Sequence, residues 1–533
     1  MKCRFSKKTL AIWGGLLAFS SVLLFFISPD SYLNDMHTRA DSAWFFMCGK
    51  AWMNGLVPYV DFADSKGPLL WLIYGIGYLI NHTSYVGVYW ISCLWYSLVY
   101  FLTYKIALLF LKDNRKSLVC AFLMTLAFFN PWFHNEIRAE DFCLLFMTWS
   151  LYRVCILLYS EHLSEKEELR SFGILGVCFA ALFLIKFNIA VMQAILIICS
   201  LYYLVREKKG WLKPFLYGLG GFSLVVLPFV IYFLIAGNFT AFIHEYLLNT
   251  LQTVNKAAPN ETNILLDHVA TTNPILLYIL EWGDIVYCPE LAALLLMLVL
   301  GGILFLHQRN KYGWMPLIVS IAIFSLAIRH HFMYYFNICS FLAIFLMIGT
   351  ISLFNKPLPR WAVPLIAFAA VSIIVPFHIL TYNFKILFFN DNINQRDYYK
   401  ATYLMSQVEQ PRLVYAYGHE LGFGVPVGTL PAGKYWTKQT GITDQMLEEH
   451  NNLILSGKAD FIFIHESSFE QPGYISETML ASAGYHEYLR IGEGENIILF
   501  SNHENLNVKE YATPSRKDLF LKKNYLTTIR NEN

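Results

Sequence analysis

Acidic and basic side chains gather at a few positions in an otherwise apolar sequence. The stretch GLVPYVDFADSKGP carries Asp61, Asp64 and Lys66. More acids and an arginine follow in FHNEIRAEDF, and three basic residues stand in IRHHFMYYF. A carboxylate within hydrogen-bond reach of a hydroxyl can remove its proton, while guanidinium and ammonium groups bind phosphate. These residue types therefore predict a site that holds a phosphate and accepts a proton.

The composition indicates that membrane helices must position these groups. The chain has 533 residues, 56% hydrophobic and 15% charged, with a mean hydropathy of +0.44. Soluble domains carry about 25% charged residues. A net charge of +2 and the lack of a basic tract give no indication of nucleic-acid binding. The ten cysteines lie mostly in apolar runs and form no CxxC pair, which favours buried thiols over a metal or redox site.

Long apolar runs predict a polytopic α-helical membrane protein with about 11 transmembrane helices. The predicted spans are 10–28, 85–111, 117–133, 142–159, 172–186, 189–205, 215–236, 290–306, 314–328, 332–354 and 361–380. The first run is interpreted as a retained span rather than a cleaved signal peptide. The run 68–80 is too short to cross about 30 Å of hydrocarbon, so we expect a helix near the outer surface.

Basic residues in the loops predict the orientation. One set of loops carries seventeen lysines and arginines up to residue 380, and the alternate set carries seven. Because cytoplasmic loops are enriched in basic residues, the N-terminus is predicted inside and the C-terminus outside. Loops 29–84 and 237–289 then lie on the outer face, together with the C-terminal region.

The C-terminal region has the composition of an ordinary folded domain. Residues 1–380 are predicted to form the transmembrane domain and residues 381–533 an extracytoplasmic α/β domain. In the latter, RLVYAYG, ADFIFIH and NIILFSN predict buried strands, and ITDQMLEEHNNLILSG predicts a helix that ends at Gly457. This alternation favours a partly parallel sheet.

Two motifs resemble those of a known family. RADSAWFFMCGKAWMNGLVPYVDFADSKGP is similar to the first outer loop of bacterial glycosyltransferase family 39-like proteins, with its early aspartate, G-x-x-PY-x-D and D-x-KGP. These are C-type, polyprenyl-phosphate-dependent glycosyltransferases, related to protein mannosyltransferases and lipid A aminoarabinose transferases. RHHFMYYF resembles their R-x-x-HY-type motif. The chain departs from the family pattern at Ser65, where many relatives have histidine, and at Phe332, which follows His331.

The resemblance implies a C-type glycosyltransferase fold and an activity. A hexose or pentose would pass, with inversion, from a polyprenyl-phosphate donor to a glycan, lipid or protein acceptor at the outer face of a bacterial inner membrane. The implied general base is Asp41, with Asp35 as the alternative. The implied donor-phosphate ligands are Lys66, Lys186, Arg329 and His331, and the supporting or acceptor-binding residues are Asp64, Glu140 and Arg138. The metal requirement stays open, with Asp41 and Glu140 as candidate ligands of a divalent ion.

Several of these charged residues also have a structural interpretation. Asp41 could cap a helix, and Glu140 with Asp141 could sit at a helix N-terminus because the helix dipole favours acids there. Asp61 and Asp64 could accept hydrogen bonds within a turn, and Lys66 could extend its ammonium to the interface.

Three other functions would each leave a different pattern in the sequence. A transporter or flippase of lipid-linked sugars would place charges near mid-membrane in paired, interrupted helices. A glycan polymerase or ligase would not need the loop between Asp41 and Lys66. A surface receptor would bind its ligand through the C-terminal domain alone.

Overall fold

The computed structural model describes residues 6–33, 40–134, 136–249, 288–306, 312–328, 333–380, 393–416, 421–437, 443–471, 473–491 and 497–508. Within these ranges, eight helices are long and apolar enough to cross a membrane, and three further apolar helices are shorter. The predicted class, a polytopic helical membrane protein, is confirmed. The number of eleven spans stays a prediction.

The helices of the first half carry most of the candidate site. They are α1 (Lys7–Ile27), α2 (Ala40–Met53), α3 (Pro68–Ile80), α4 (Val86–Leu111), α5 (Asn114–Leu123), α6 (Thr125–Phe128), α7 (Ala139–Tyr159), α8 (Glu165–Ile185), α9 (Phe187–Arg206), α10 (Leu212–Ile235) and α11 (Phe239–Phe242). A π-helical turn, Ile243–Asn249, follows α11. The third predicted span, 117–133, corresponds to the two short helices α5 and α6.

The helices of the second half are α12 (Pro289–Leu306), α13 (Met315–Ala327), α14 (Ile344–Ser352), α15 (Ala362–His378), α16 (Ile393–Ser406), α17 (Asp444–Leu455) and α18 (Glu477–Ser482). A 3₁₀ segment, Met333–Ala343, leads directly into α14, and together they form one of the eight candidate spans.

Gly67 brings the loop before α3 into contact with the end of α8. Its N–H donates to the carbonyl of Ile185 at 2.9 Å, and a Cβ added at this position would lie 2.0 Å from the carbonyl oxygen of Leu184. Only glycine permits so close a backbone approach. Pro68 then begins α3, where its fixed φ and missing N–H are tolerated. The loop is therefore fixed against α8 immediately before Lys186.

A five-stranded sheet forms the core of the C-terminal region. Its strands are β1 (Arg412–Ala416), β2 (Leu430–Pro431), β3 (Phe461–His465), β4 (His486–Ile491) and β5 (Ile497–Ser501), in the order β2-β1-β3-β5-β4. β1 pairs in parallel with β2 and β3, while β5 runs antiparallel to β3 and β4. The mixed sheet, its three predicted strands and the helix α17 are confirmed. The boundary at residue 380 stays a prediction.

Lys50 of α2 is buried where the C-terminal region contacts that helix. Its ammonium donates to the carbonyl of Gly424 at 3.0 Å and to the carbonyl of Val427. Burial lowers the pKa of Lys50 from its usual value of 10.5 to about 7, because a desolvated ammonium loses hydration that carbonyls replace only in part.

We predict that this lysine makes stability depend on pH. Between pH 7 and 10.5 the unfolded lysine binds a proton that the folded one does not, so the free energy of unfolding should rise with pH by about 1.4 kcal/mol per unit. Below pH 7 this contribution is at its minimum. Chemical unfolding of wild type and Lys50→Met between pH 6 and 10 checks this. Parallel pH profiles for the two proteins would contradict it.

Candidate active site

Asp41 and Arg138 join two elements that are far apart in the sequence. Asp41 lies in the first turn of α2, and its Oδ2 is 3.2 Å from Nε of Arg138. The same Nε donates to Oε1 of buried Glu136 at 2.7 Å, and Ser42 donates to the other oxygen of Glu136 at 3.1 Å. One guanidinium therefore holds two carboxylates beside the start of α2.

The position of Arg138 is set by the beginning of α7. Its backbone N–H donates to Oδ2 of Asp141 at 2.8 Å, which caps the helix. Burial alone would lower the pKa of Arg138, but the carboxylates of Glu136 and Asp41 raise it above its usual value. Within the described part of the chain, the guanidinium nitrogen Nη1 is buried and has no hydrogen-bond partner. A charged donor therefore remains for a ligand.

A second ion pair lies at the adjacent helix ends. Lys186 stands between α8 and α9, and its ammonium donates to Oε1 of Glu140 in the first turn of α7. Both side chains are buried, with 8% and 3% of their surface exposed. Removing two charges from water costs several kcal/mol per ion unless they are paired and hydrogen-bonded. We therefore conclude that each of these side chains needs the other.

Two adjacent tyrosines connect the two cation groups. The rings of Tyr334 and Tyr335 are stacked with their centroids 4.9 Å apart. The guanidinium carbon of Arg138 lies 3.7 Å from the Tyr334 centroid, and the ammonium of Lys186 lies 3.7 Å from the Tyr335 centroid. A cation over an aromatic face is attracted by about 0.5–2 kcal/mol. The arrangement forms one connected network, which we call the cation–tyrosine network: Asp41, Glu136, Arg138, Glu140, Lys186, Tyr334 and Tyr335.

Asp64 and Lys66 lie on the loop that Gly67 fixes. The Lys66 ammonium is 3.9 Å from Oδ1 of Asp64 and keeps 20% of its side-chain surface exposed. Oδ1 of Asp64 accepts from the N–H and the hydroxyl of Ser65, whereas Oδ2 is buried without a partner among the described residues. A buried unpaired oxygen costs about 1–3 kcal/mol. This oxygen is suited to accept a hydrogen bond from a ligand.

Lys66 approaches the face of α2 that carries Asp41. Its ammonium lies 5.9 Å from the centroid of the Phe45 ring. Phe45 follows Asp41 by four residues, and residues at that spacing share one face of a helix with about 5–6 Å between Cβ atoms. Asp41 and Phe45, the residue that the Lys66 ammonium approaches, therefore share one face of α2.

The structure also places residues whose roles were not predicted. Glu136 belongs to FHNEIRAEDF and Tyr334 and Tyr335 to RHHFMYYF, but their contacts with Arg138 and Lys186 cannot be read from local patterns. Asp61 has a structural role in the turn, since its Oδ2 accepts a hydrogen bond from the N–H of Val57 at 2.7 Å. The predicted ligands Arg329 and His331, and the alternative base Asp35, lie outside the described residues.

The proposed metal ligands do not fit a divalent ion as they are arranged. Asp41 faces Arg138, and Glu140 faces Lys186. No group of three or more histidine, cysteine, aspartate or glutamate side chains in the described ranges is placed to hold a metal ion.

A family model matches the part of the chain that carries most of this network. Residues 65–233 match the family described as dolichyl-phosphate-mannose-protein mannosyltransferase. The matched segment includes Lys66, Arg138, Glu140 and Lys186, and begins after Asp41. No curated protein matches the sequence of this chain.

Two solved structures of one protein resemble the whole chain. ArnT from Cupriavidus metallidurans, bound to undecaprenyl phosphate, has a TM-score of 0.52 and 14% identity over 94% of this chain and 99% of ArnT. Its apo form has a TM-score of 0.55 and 12% identity, over 95% and 100% of the two chains. At this identity the likeness establishes the fold. With the family match, it confirms the resemblance to C-type, family 39-like glycosyltransferases.

We predict that Glu140 and Lys186 depend on each other for stability. Glu140→Gln leaves a buried ammonium unpaired and should lower the free energy of unfolding by about 3–5 kcal/mol. Adding Lys186→Met should recover most of this loss, because both charges are then removed. Denaturant unfolding in detergent measures both variants, with Glu165→Gln as a control at the exposed Lys213–Glu165 pair. Additive losses in the double variant would contradict the pairing.

Proposed function

We propose that this chain, which contains a mannosyltransferase-family segment and has the ArnT fold, transfers a sugar from a polyprenyl-phosphate donor to an acceptor hydroxyl at the outer face of the membrane. The observation that carries the proposal is the position of the Lys66 ammonium, 5.9 Å from the Phe45 ring, on the face of α2 that also carries Asp41 with its partner Arg138. A proton acceptor and a phosphate-binding cation are the two groups that this reaction needs.

The proposed reaction is a single displacement with inversion. Asp41 accepts the proton of the acceptor hydroxyl while the hydroxyl oxygen attacks the anomeric carbon. The bond between that carbon and the phosphate oxygen breaks, and polyprenyl phosphate leaves with the electron pair. Lys66 binds the donor phosphate and stays beside it as polyprenyl phosphate leaves. One such contact at 4 Å is worth about 4 kcal/mol at an effective dielectric of 20.

The remaining residues of the network hold this geometry. Arg138 orients Asp41 and offers the substrate Nη1, which has no hydrogen-bond partner among the residues that the structure describes. Lys186, which the sequence suggested as a phosphate ligand, is bound by Glu140 and covered by Tyr335. We therefore assign the first phosphate contact to Lys66, and a direct contact of Lys186 would require the Tyr335 ring or Glu140 to move. Asp64 would accept a hydrogen bond from a sugar or acceptor hydroxyl.

The placement of the charges favours this proposal over a transporter. Asp41 lies in the first turn of α2, Arg138 precedes α7, and Lys186 separates α8 from α9. These charges therefore stand at helix ends, whereas a transporter binds near the bilayer midplane at interrupted helices.

Replacing the proposed base tests the reaction most directly. In a purified-protein assay with polyprenyl-phosphate sugars, Asp41→Asn should lower kcat by about 10²–10⁴-fold, since an amide cannot accept the proton. Asp61→Asn is the matched control, because its side-chain oxygen can still accept from Val57. Asp41→Asn with wild-type kcat would remove Asp41 from this role.

Removing the proposed phosphate cation should weaken donor binding. We expect Lys66→Met to raise the donor KM about tenfold or more, which corresponds to about 1.4 kcal/mol or more of lost binding. The control is Lys112→Met at an exposed lysine that lies 3.7 Å from Glu161. Steady-state kinetics against donor concentration measures both. An unchanged KM in Lys66→Met would contradict the assignment.

A further inference from the structure

The C-terminal region contacts the loop that carries Asp64 and Lys66. The backbone N–H of Ala63 donates to the carbonyl of Lys434 at 3.0 Å. Ala63, Tyr435 and Met446 form a small buried apolar cluster at the same place. Because Ala63 directly precedes Asp64, a displacement of residue 434 would move the two charged residues that follow.

Glu245 holds the side chains of the same C-terminal segment. It lies in the π-helical turn after α11, and only 4% of its side chain is exposed. The Lys434 ammonium contacts its Oε1, and Tyr435 donates to its Oε2 at 3.0 Å. Asn249 donates to the same Oε2 at 2.9 Å. The buried carboxylate therefore anchors residues 434 and 435 through two separate bonds.

The segment that carries Glu245 also holds the other end of the loop. The buried side chain of Asn238 donates to the carbonyl of Pro58 at 2.8 Å. The Tyr246 ring lies 6.3 Å from the Tyr59 ring, and the Tyr59 hydroxyl donates to the carbonyl of Lys66 at 3.1 Å. The loop is thus bound near its start, at Ala63 and at Lys66.

We propose that Lys434 is a positioning residue for the donor-phosphate site. Through its ion pair with Glu245 and its carbonyl bond to Ala63, it holds Lys66 in the orientation that meets the phosphate. The C-terminal region is then part of the site's architecture and not only a separate binding module. This inference rests on the phosphate role proposed above for Lys66.

The Lys434–Glu245 ion pair has one buried partner, Glu245, and a partly exposed lysine. Such a pair adds little to stability alone, because desolvation of the carboxylate and solvent screening of the lysine offset much of the attraction. The Lys434–Glu245 pair nonetheless fixes Lys434 against the π-helical turn, and the carbonyl of Lys434 in turn binds the loop at Ala63. We therefore expect its loss to affect the geometry of the loop more than the stability of the whole protein.

Hydrogen–deuterium exchange and kinetics on the full-length protein test the proposal together. In Lys434→Met and Glu245→Gln, amides of residues 59–67 should exchange about tenfold faster than in wild type. The donor KM should rise about 3–10-fold while kcat stays within about twofold, since positioning acts on donor binding. Lys434→Arg should restore both values toward wild type. Lys458→Met, at an exposed lysine between α17 and β3, is the matched control.

The outcomes separate this inference from the proposed function. Unchanged exchange in residues 59–67 with an unchanged donor KM would overturn the positioning role of Lys434. A lower kcat together with a lower thermal stability, while the donor KM stays unchanged, would also overturn it. If wild type transfers no sugar, the proposed function is wrong, and the exchange rates still decide whether Lys434 holds the loop.

Discussion

The contact between Arg138 and Asp41 connects the start of α2 to the start of α7, and the candidate site is built around it. A guanidinium buried at a helix end needs carboxylate partners, because its desolvation is otherwise too costly. Asp41 and Glu136 supply them, and both carboxylates contact Nε of Arg138. This pairing requires the starts of α2 and α7 to lie side by side, and the packing of the two helices provides that arrangement.

A second constraint is the mutual repulsion of two neighbouring cations, Arg138 and Lys186, which nearby groups must offset. Arg138 and Lys186 each have a carboxylate partner, and each lies against one ring of the stacked pair Tyr334 and Tyr335. Three carboxylates, Asp41, Glu136 and Glu140, balance the two cations, and the aromatic faces supply further negative potential beside them. Lys66, on its own loop, lies 3.9 Å from Asp64 and donates to the Ser65 hydroxyl at 3.0 Å. Of Arg138, Lys186 and Lys66, it is therefore the cation without a described carboxylate at hydrogen-bond distance.

Local rules predicted the parts of the fold that depend on local chemistry. The helix at 68–80, helix α17 and three of the five strands followed from residue type and apolar runs. Strand β4 was missed because it lies at the sheet edge with much of its surface exposed, and β2 has only two residues. The pairing of Arg138 with Asp41, and of Lys434 with Glu245, joins residues about 100 and 190 positions apart. No periodicity in one sequence specifies such pairs, since they arise from helix packing.

The central claim is that Asp41 and Lys66 face one phosphate-binding pocket beside the membrane. A cryo-electron-microscopy structure of the full-length protein with polyprenyl phosphate tests it most directly. We expect a phosphate oxygen within about 3.2 Å of the Lys66 ammonium, a hydrogen-bond distance, with the carboxylate of Asp41 opening onto the same cavity. A phosphate bound at the opposite ends of the helices, or an Asp41 turned away from it, would contradict the account.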